Sequence, residues 1–438
     1  MDKPTNYVGQ PILSQVLSLI DTTLIAASCK KHQSDKFAKK LTFKDHLITM
    51  LYTVFSKCTS IREVQAGLEL CNGKLNHLNL QQVPARSTLS DGNAKRNSDV
   101  FGSLYKSLYE KYRHIISDSP LKAAIASNLY ILDSSTISLF KSILKPAGRK
   151  SNDGKSKGGI KVHTLLKADC NMPSFKKFTA AAMHDQQFYE CINELPNSSI
   201  ITFDKAYINY LQFEKFNDRG ITYVVPQKDN AKFESIKELD LLDAEPLILK
   251  DEIIAVNYTE NIEGATVKRT LQIRRIAYYS QKYESTFIYW TNNVKLTATE
   301  IVAIYQNRWQ IEKFFKKLKQ NFPLNYFLGD NENAIQIQIW CALIGLLLLQ
   351  VLYKENTATI TFSILAAIVS IHLMNYVSIT AVIEHYKKKR KRNVEKSNKE
   401  KAKQKQHPKI NPHLLFNNKP ALQNTIFVNL NLSRTIII

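Results

Sequence analysis

The chain has 438 residues, with 60 Lys and Arg against 38 Asp and Glu, a formal charge of +22 at pH 7. At 44% hydrophobic and 10% aromatic residues it is not disordered as a whole, and 13 Gly with 13 Pro exclude collagen-like and Pro-rich fibrous classes. At roughly 150 residues per domain the length corresponds to two or three domains. The charge favours a polyanionic partner, either nucleic acid or an anionic membrane.

Residues 1–120 read as a helical domain. An apolar stretch over 12–27 carries Ile12, Val16, Leu17 and Ile20 at helical spacing. It predicts one amphipathic helix rather than a cleaved leader, because Gln15 and Asp21 interrupt it. Residues 43–55 and 60–70 predict two more helices, and residue 84 opens a long one carrying Leu104, Leu108 and Tyr112. Short helices joined by tight turns suit a helix-turn-helix or a small bundle that binds DNA ends; a plain helical cap stays open as the alternative. Arg86, Lys95 and Arg96 form a basic face suited to such contacts.

From Asn128 the texture becomes α/β. Residues 129–132, 160–166, 174–182 and 199–203 predict strands, with Asp133 and Asp204 at strand ends. Residues 148–159 form a basic loop, and 185–195 predict a helix. Runs at 221–225, 247–258, 267–279 and 285–290 predict a β-rich insertion over about 220–295. Six scattered cysteines, without a C-x-x-C pair or zinc spacing, read as reduced thiols in a cytoplasmic protein. Residues 334–353 and 360–383 are each apolar and long enough to span a bilayer. Gln336, Gln338, Gln350, Ser370 and His372 within them favour core helices and no membrane. The catalytic part thus covers 121–385. Residues 386–438 are a basic low-complexity segment and tail; 386–409 hold 12 Lys and Arg against 2 Glu, net +10, and read as a disordered or fraying solvated segment. Deleting 386–409 is expected to weaken general DNA affinity and its salt dependence while sparing cleavage at specific ends.

Thr297 opens a helix predicted to run unbroken to Lys319, with Glu300 at capping-box spacing. At 100° per residue, Tyr305, Arg308, Glu312, Lys316 and Lys319 fall within an arc of about 80°, beside an apolar stripe of Ile304, Ile311, Phe314, Phe315 and Leu318. One carboxylate among phosphate-binding groups is unusual for a solvated face, although a run of i,i+4 ion pairs would look similar. With Asp133 and Asp204 it makes three carboxylates. Phosphodiester chemistry uses such a set to hold two divalent cations, and carboxylate oxygens suit Mg²⁺, with Mn²⁺ as a substitute.

These residues resemble a known family. Tyr305-x2-Arg308-x3-Glu312-x6-Lys319, within IYQNRWQIEKFFKKLKQNF, is similar to the Y-R-E-K signature of DDE transposases of the insertion sequence 4 family. ILDSSTI around Asp133, ITFDKAYINY around Asp204, GGIKVHTLL and ENAIQIQIWCALI resemble the family's other motifs. FKDHLITMLYTVFSKCTSIREVQAGL and ARSTLSDGNAKR resemble the helical domain of one of its branches. The resemblance implies an RNase H-like catalytic core interrupted by the β-rich insertion, with Asp133, Asp204 and Glu312 as the catalytic, metal-binding triad. Tyr305, Arg308, Lys316 and Lys319 would bind DNA. It further implies cut-and-paste transposition through a hairpin, acting on double-stranded DNA (terminal inverted repeats and target) as a homodimer in a synaptic complex, in the cytoplasm at the nucleoid. The Arg that often follows the first strand of the insertion is missing, and Lys228 is the candidate to replace it.

Trp290 and Trp309 are candidates to stack on an unpaired base, and His163 and His184 read as structural. Alternative functions are a catalytically inactive or repurposed DNA-binding protein of this fold, an RNase H-like nuclease without strand transfer, or a membrane protein built on 334–383.

Overall fold

Side-chain caps mark where three of the N-terminal helices start. The structure is a computed structural model describing residues 9–117, 119–138, 148–149, 157–169, 172–180, 192, 195–241, 246–262, 265–322, 324, 326–356 and 360–406. The single helix expected over 12–27 is two, α1 (Ile12–Leu17) and α2 (Thr22–Lys31). The break falls at Asp21, whose side chain accepts from the Thr23 amide and opens α2. α3 (Phe43–Ser56) and α4 (Ile61–Glu69) begin at the caps Thr42 and Ser60. The long helix expected from residue 84 is also two, α5 (Arg86–Lys95) and α6 (Asp99–Ile116). Between them Arg96 is extended, and its guanidinium donates to Ser34, Asp35 and the Leu41 carbonyl.

After α7 (Ala123–Ala126) come β1 (Leu129–Ser138), β2 (Gly148–Arg149), β3 (Lys157–Lys167), β4 (Met172–Ala180) and β5 (Ile200–Phe203). α8 (Tyr210–Asp218) leads to β6 (Thr222–Pro226), β7 (Glu234–Glu238), β8 (Ile248–Ile262), β9 (Ala265–Ser280) and β10 (Ser285–Thr291). The sheet order is β2-β3-β1-β5-β6-β10-β9-β8-β7, with β4 also on β3. β1, β5 and β6 are parallel neighbours, and β3 and β4 run antiparallel beyond β1. The α8 crossover is what a parallel β5–β6 pair requires.

Two expectations change here. Thr222–Pro226, expected at the start of the insertion, belongs to the parallel centre of the sheet, and β10, β9, β8 and β7 extend the same sheet beyond β6. Asp133 is not at a strand end but within β1, which continues opposite β3 as far as Ser138. Leu132, Ile201, Phe203, Tyr223 and Val225 fill one core with Phe213 and Phe216 of α8. Phe213 stacks on Tyr223 with ring centroids 4.0 Å apart.

The helix expected over 297–319 is broken. α9 (Ala298–Gln306) starts at the Thr297–Glu300 capping box, and α10 (Trp309–Asn321) starts at Arg308. Between them the amides of Arg308, Gln310 and Ile311 bond three residues back, a 3₁₀-type tightening around buried Asn307.

α11 (Glu332–Glu355) packs against α3, α5, α6 and α10 as well as the following helix, α12 (Phe362–Ile371). At Gly102 of α6 the approach is so close that a Cβ would lie 2.7 Å from the Trp340 ring. Among the described residues α11 is the one helix long and apolar enough to cross a membrane, and 89% of that span is buried inside the protein. The second apolar stretch is broken into α12 and the start of α13 (Ile379–Gln406). Residues 386–406 are therefore helical, not disordered. The described residues divide at 384/385 into two units. The expected 185–195 helix, His184 and loop residues 150–156 lie outside the described residues.

Candidate active site

Strand register brings the two aspartates together. The parallel β1–β5 pairing ends at Leu132 opposite Phe203, and Asp133 and Asp204 are the next residue on each strand. β5 stops there, so Asp204 caps a 3₁₀ turn over Lys205–Tyr207, its carboxylate accepting from the Lys205 amide at 2.7 Å. The Asp133 carboxylate accepts from the Ser134 amide at 2.8 Å.

α10 packs on β1 and brings in the third carboxylate. Arg308, at the N-terminus of α10, donates to Glu312 Oε1 at 2.8 Å, and its other amino nitrogen lies 3.8 Å from Asp133 Oδ2. The guanidinium is only 10% exposed and stands 5.7 Å from the ring centres of both Tyr305 and Trp309. Burial pushes Asp133 up to about 6; the charges of Asp204 and Glu312 add to the rise, while the Ser134 amide and Arg308 oppose it. Burial works against the charge on Arg308, but Tyr305 and the three carboxylates hold its pKa above the ordinary value. Burial raises the Tyr305 hydroxyl, and its ring lies 4.7 Å from that of Tyr289. The structure thus brings together Asp133, Asp204, Glu312, Arg308 and Tyr305.

A groove of about 710 Å³ opens beside them. Asp204, Lys205, Lys228, Arg308 and Trp309 line it, with an aromatic wall that includes Tyr283, Phe287 and Tyr289. Sequence reasoning missed Lys205 and this wall. Adjacency to Asp204 was a usable signal for Lys205, and the i,i+2 spacing of Phe287 and Tyr289 on β10, just after Tyr283 in the preceding turn, was one for the wall.

The other expected contacts divide. Lys316 and Lys319 are exposed on α10, although partial desolvation by the surrounding protein lowers the pKa of Lys319. Lys228 lines the groove, but its ammonium donates to the Ile208 carbonyl and sits 5.6 Å over the Tyr210 ring, so part of its bonding capacity is used internally. Arg86 is exposed at the start of α5 and does not line the groove. Lys95 pairs with Asp91 at 3.2 Å, and Arg96 is a structural clamp rather than part of an open basic face. Trp290 is also corrected. It is fully buried, with its indole nitrogen donating to Gln227 at 3.2 Å, and offers no face to a base. Trp309 is 52% exposed in the groove. His163 is buried within β3.

Asp204 and Glu312 lie near enough for their charges to act on Asp133, and three such carboxylates are a hard-oxygen donor set, which fits Mg²⁺ or Mn²⁺. As they stand, with Arg308 between two of them, no three His, Cys, Asp or Glu among the described residues enclose a metal position.

Residues 126–348, which contain all of these groups, match the family model described as Transposase DDE domain. The chain belongs to the DDE transposase family. Residues 8–81 match a second model, a domain of unknown function named DUF4372. Similar transposases place the chain among relatives of the insertion sequence 4 type. The transposase named y4zB of Sinorhizobium fredii is 26% identical over 63% of this chain and 74% of its own length. The transposase of element IS4SA from Synechocystis is 24% identical over 63% and 74%. That of element IS5377 from Geobacillus stearothermophilus is 24% identical over 52% and 57%. Among solved structures, the piggyBac transposase synaptic complex with hairpin DNA aligns with a TM-score of 0.37 at 9% identity, covering 85% of this chain and 83% of that one. At that distance the likeness carries no weight for fold or mechanism.

Proposed function

We propose that this transposase cuts its element out of double-stranded DNA and pastes it into a target, using Asp133, Asp204 and Glu312 in an RNase H-like core. The observation that carries the reading is the register of β1 and β5, which sets Asp133 beside Asp204 while Arg308 ties Glu312 to the same place. The strand order β4-β3-β1-β5-β6, antiparallel then parallel, supports the RNase H-like assignment.

Asp133, Asp204 and Glu312 would hold two Mg²⁺ ions, replaceable by Mn²⁺, which when bound activate the attacking oxygen and stabilise the leaving oxygen. The chain's own residues position the DNA. Arg308 faces the groove and gives up its carboxylate contacts in favour of a phosphate, two of whose non-bridging oxygens accept its N–H groups. Lys205 and Lys228 line the path of the backbone, Lys316 and Lys319 continue it along α10, and Trp309 offers an exposed ring to an unpaired base. Four in-line displacements at phosphorus follow at this one site. Water nicks the element end, the freed 3′-OH attacks the opposite strand to form a hairpin, water opens the hairpin, and the 3′-OH attacks target DNA. Two copies of the chain hold the paired inverted repeats, in the cytoplasm at the nucleoid.

The test supplies Mg²⁺ and DNA carrying the element's ends to the protein and to Asp133→Ala, Asp204→Ala and Glu312→Ala. Loss of cleavage and strand transfer with DNA binding intact is expected. Cleavage that survives in all three sinks the assignment, and nicking without transfer reduces the protein to a nuclease.

A further inference from the structure

We propose that α13 is a DNA arm that enters the major groove of duplex DNA as a helix and binds without regard to sequence. The proposal deepens the reading of the chain as a DNA transposase and rests on it for the identity of the polyanion.

Residues 387–392 are six consecutive Lys and Arg, followed by Lys396 and Lys399, with Glu395 as the sole acid between 387 and 399. The segment is helical and solvent-exposed from Lys388 to Lys399, and it belongs to the smaller of the two units. Six successive residues at 100° each cover the whole circumference of a helix in under two turns. Such a helix opposes itself: Lys387 with Lys391, Lys388 with Arg392 and Arg392 with Lys396 are like charges at i,i+4. It needs anions on more than one side.

The residues also decide against other partners. Between 386 and 399 the apolar side chains are Tyr386 and Val394, about 80° apart on the helix wheel and alone on their faces. A membrane-surface helix requires a continuous apolar face, and a coiled coil requires apolar residues every 3.5 positions; neither is present. The major groove of B-DNA is about 12 Å wide, admits a helix of about 10–12 Å and flanks it with phosphates on both walls. The deep, narrow major groove of RNA duplexes does not admit one. Charge all around the helix fits that two-walled geometry, whereas a helix lying on a single strand would need one basic face. Contacts from Lys and Arg to phosphates carry no sequence information.

The test uses the full chain and two variants. In one, all six residues 387–392 are changed to Gln, which keeps helix propensity. In the other, Asn393→Pro with Val394→Gly breaks the helix and keeps every charge. Binding to a 30-bp duplex of unrelated sequence is measured from 50 to 200 mM salt, with hydrogen exchange over 386–399. The Gln variant should lose up to about five from the log–log salt slope, at 0.9 per phosphate, and more than about 100-fold in affinity at the low-salt end. The helix-broken variant should bind at least about 10-fold more weakly than the parent, and duplex DNA should slow exchange in the parent alone. A parental salt slope in the Gln variant overturns the proposal. So does parental affinity in the helix-broken variant, or equal protection of 386–399 by RNA duplex or anionic vesicles. Because these readouts use unrelated DNA, arm binding without triad-dependent cleavage would sink the transposition reading and leave the arm standing, and the reverse result would do the opposite.

Discussion

Arg308 and Glu312 sit one helical turn apart at the start of α10 and are joined at 2.8 Å, so a cation that offsets part of the candidate site's negative charge comes from the same segment as its third carboxylate. Replacing Arg308 with Ala leaves Asp133 and Glu312 without this counter-charge. We expect a loss of about 1–3 kcal/mol in stability, below the fully buried range because Glu312 is 38% exposed. The same variant should bind Mn²⁺ more tightly than the parent in the absence of DNA, while cleaving element ends at least 100-fold more slowly. Titration calorimetry and a cleavage assay measure the two effects, and unchanged Mn²⁺ affinity would remove Arg308 as a competitor for the carboxylates.

The raised Asp133 pKa sets opposite pH trends for stability and activity. The folded chain holds this proton up to about pH 6, against 3.8 for an ordinary aspartate. Asp133 therefore contributes stability that is fully present below about pH 3.8 and is lost as pH rises through about 6. The proposed metal-holding role needs the carboxylate, so activity should rise through the same window. Asp133→Asn should match the parent's stability near pH 4 and exceed it by about 2–3 kcal/mol at pH 7.5, with cleavage lost. Urea unfolding at several pH values reads this out, and a pH-independent difference between the two proteins would contradict it.

The two tryptophans separate packing from contact. Trp290→Ala empties a fully buried site beside Tyr210 and should cost about 3–5 kcal/mol, with DNA binding failing only as the fold does. Trp309→Ala removes a half-exposed ring and should change stability by less than about 0.5 kcal/mol. It should also lower cleavage of ends that require an unpaired base. Thermal melts of both variants, with cleavage of duplex and pre-nicked ends, distinguish the roles.

How much was legible follows from which interactions are local. Asp133, Asp204 and Glu312 stand out in the sequence because a short apolar run precedes each aspartate and a spaced motif carries the glutamate, although Asp133 lies inside its strand and not at its end. Their meeting depends on the Leu132–Phe203 register, which only the folded sheet fixes. The break at Asn307 was hidden because Tyr305 to Lys319 keeps acceptable helical spacing across it, while the tightening is a backbone bonding choice. Trp290 was ambiguous because a β-strand shows one face to the core and one to solvent, and Gln227, which holds its indole nitrogen, lies 63 positions away. The splits at Asp21 and Arg96 were missed because apolar spacing outlasts a single polar residue whose partner is a cap or a distant carbonyl.

A buried ion pair anchors the approach to the motif helices. Arg274 of β9 is joined to Asp251 of β8 at 2.6 Å, both almost fully buried, and donates to the carbonyls of Asn293 and Leu296 just before α9. Asp251→Ala should cost about 3–5 kcal/mol by leaving Arg274 uncompensated. The joint change Asp251→Leu with Arg274→Met should recover most of that stability, yet lower cleavage, because the 293–296 segment loses its two donors. Chemical denaturation and cleavage rates of the three proteins test the distinction.

The shared burial of α11 bears on how such elements decay. Its apolar surface is covered by α3, α5 and α6 on the one hand and by α10 and α12 on the other. A gene copy that lost its 5′ portion would encode a remnant whose 24-residue apolar helix α11 has lost its cover from α3, α5 and α6. Such a product would be cleared or would precipitate before it could compete for element ends. Truncation alone would therefore yield no stable competitor of intact copies; under the proposed function, a point substitution at Asp133, Asp204 or Glu312 is the change that leaves a folded, DNA-binding product without cleavage.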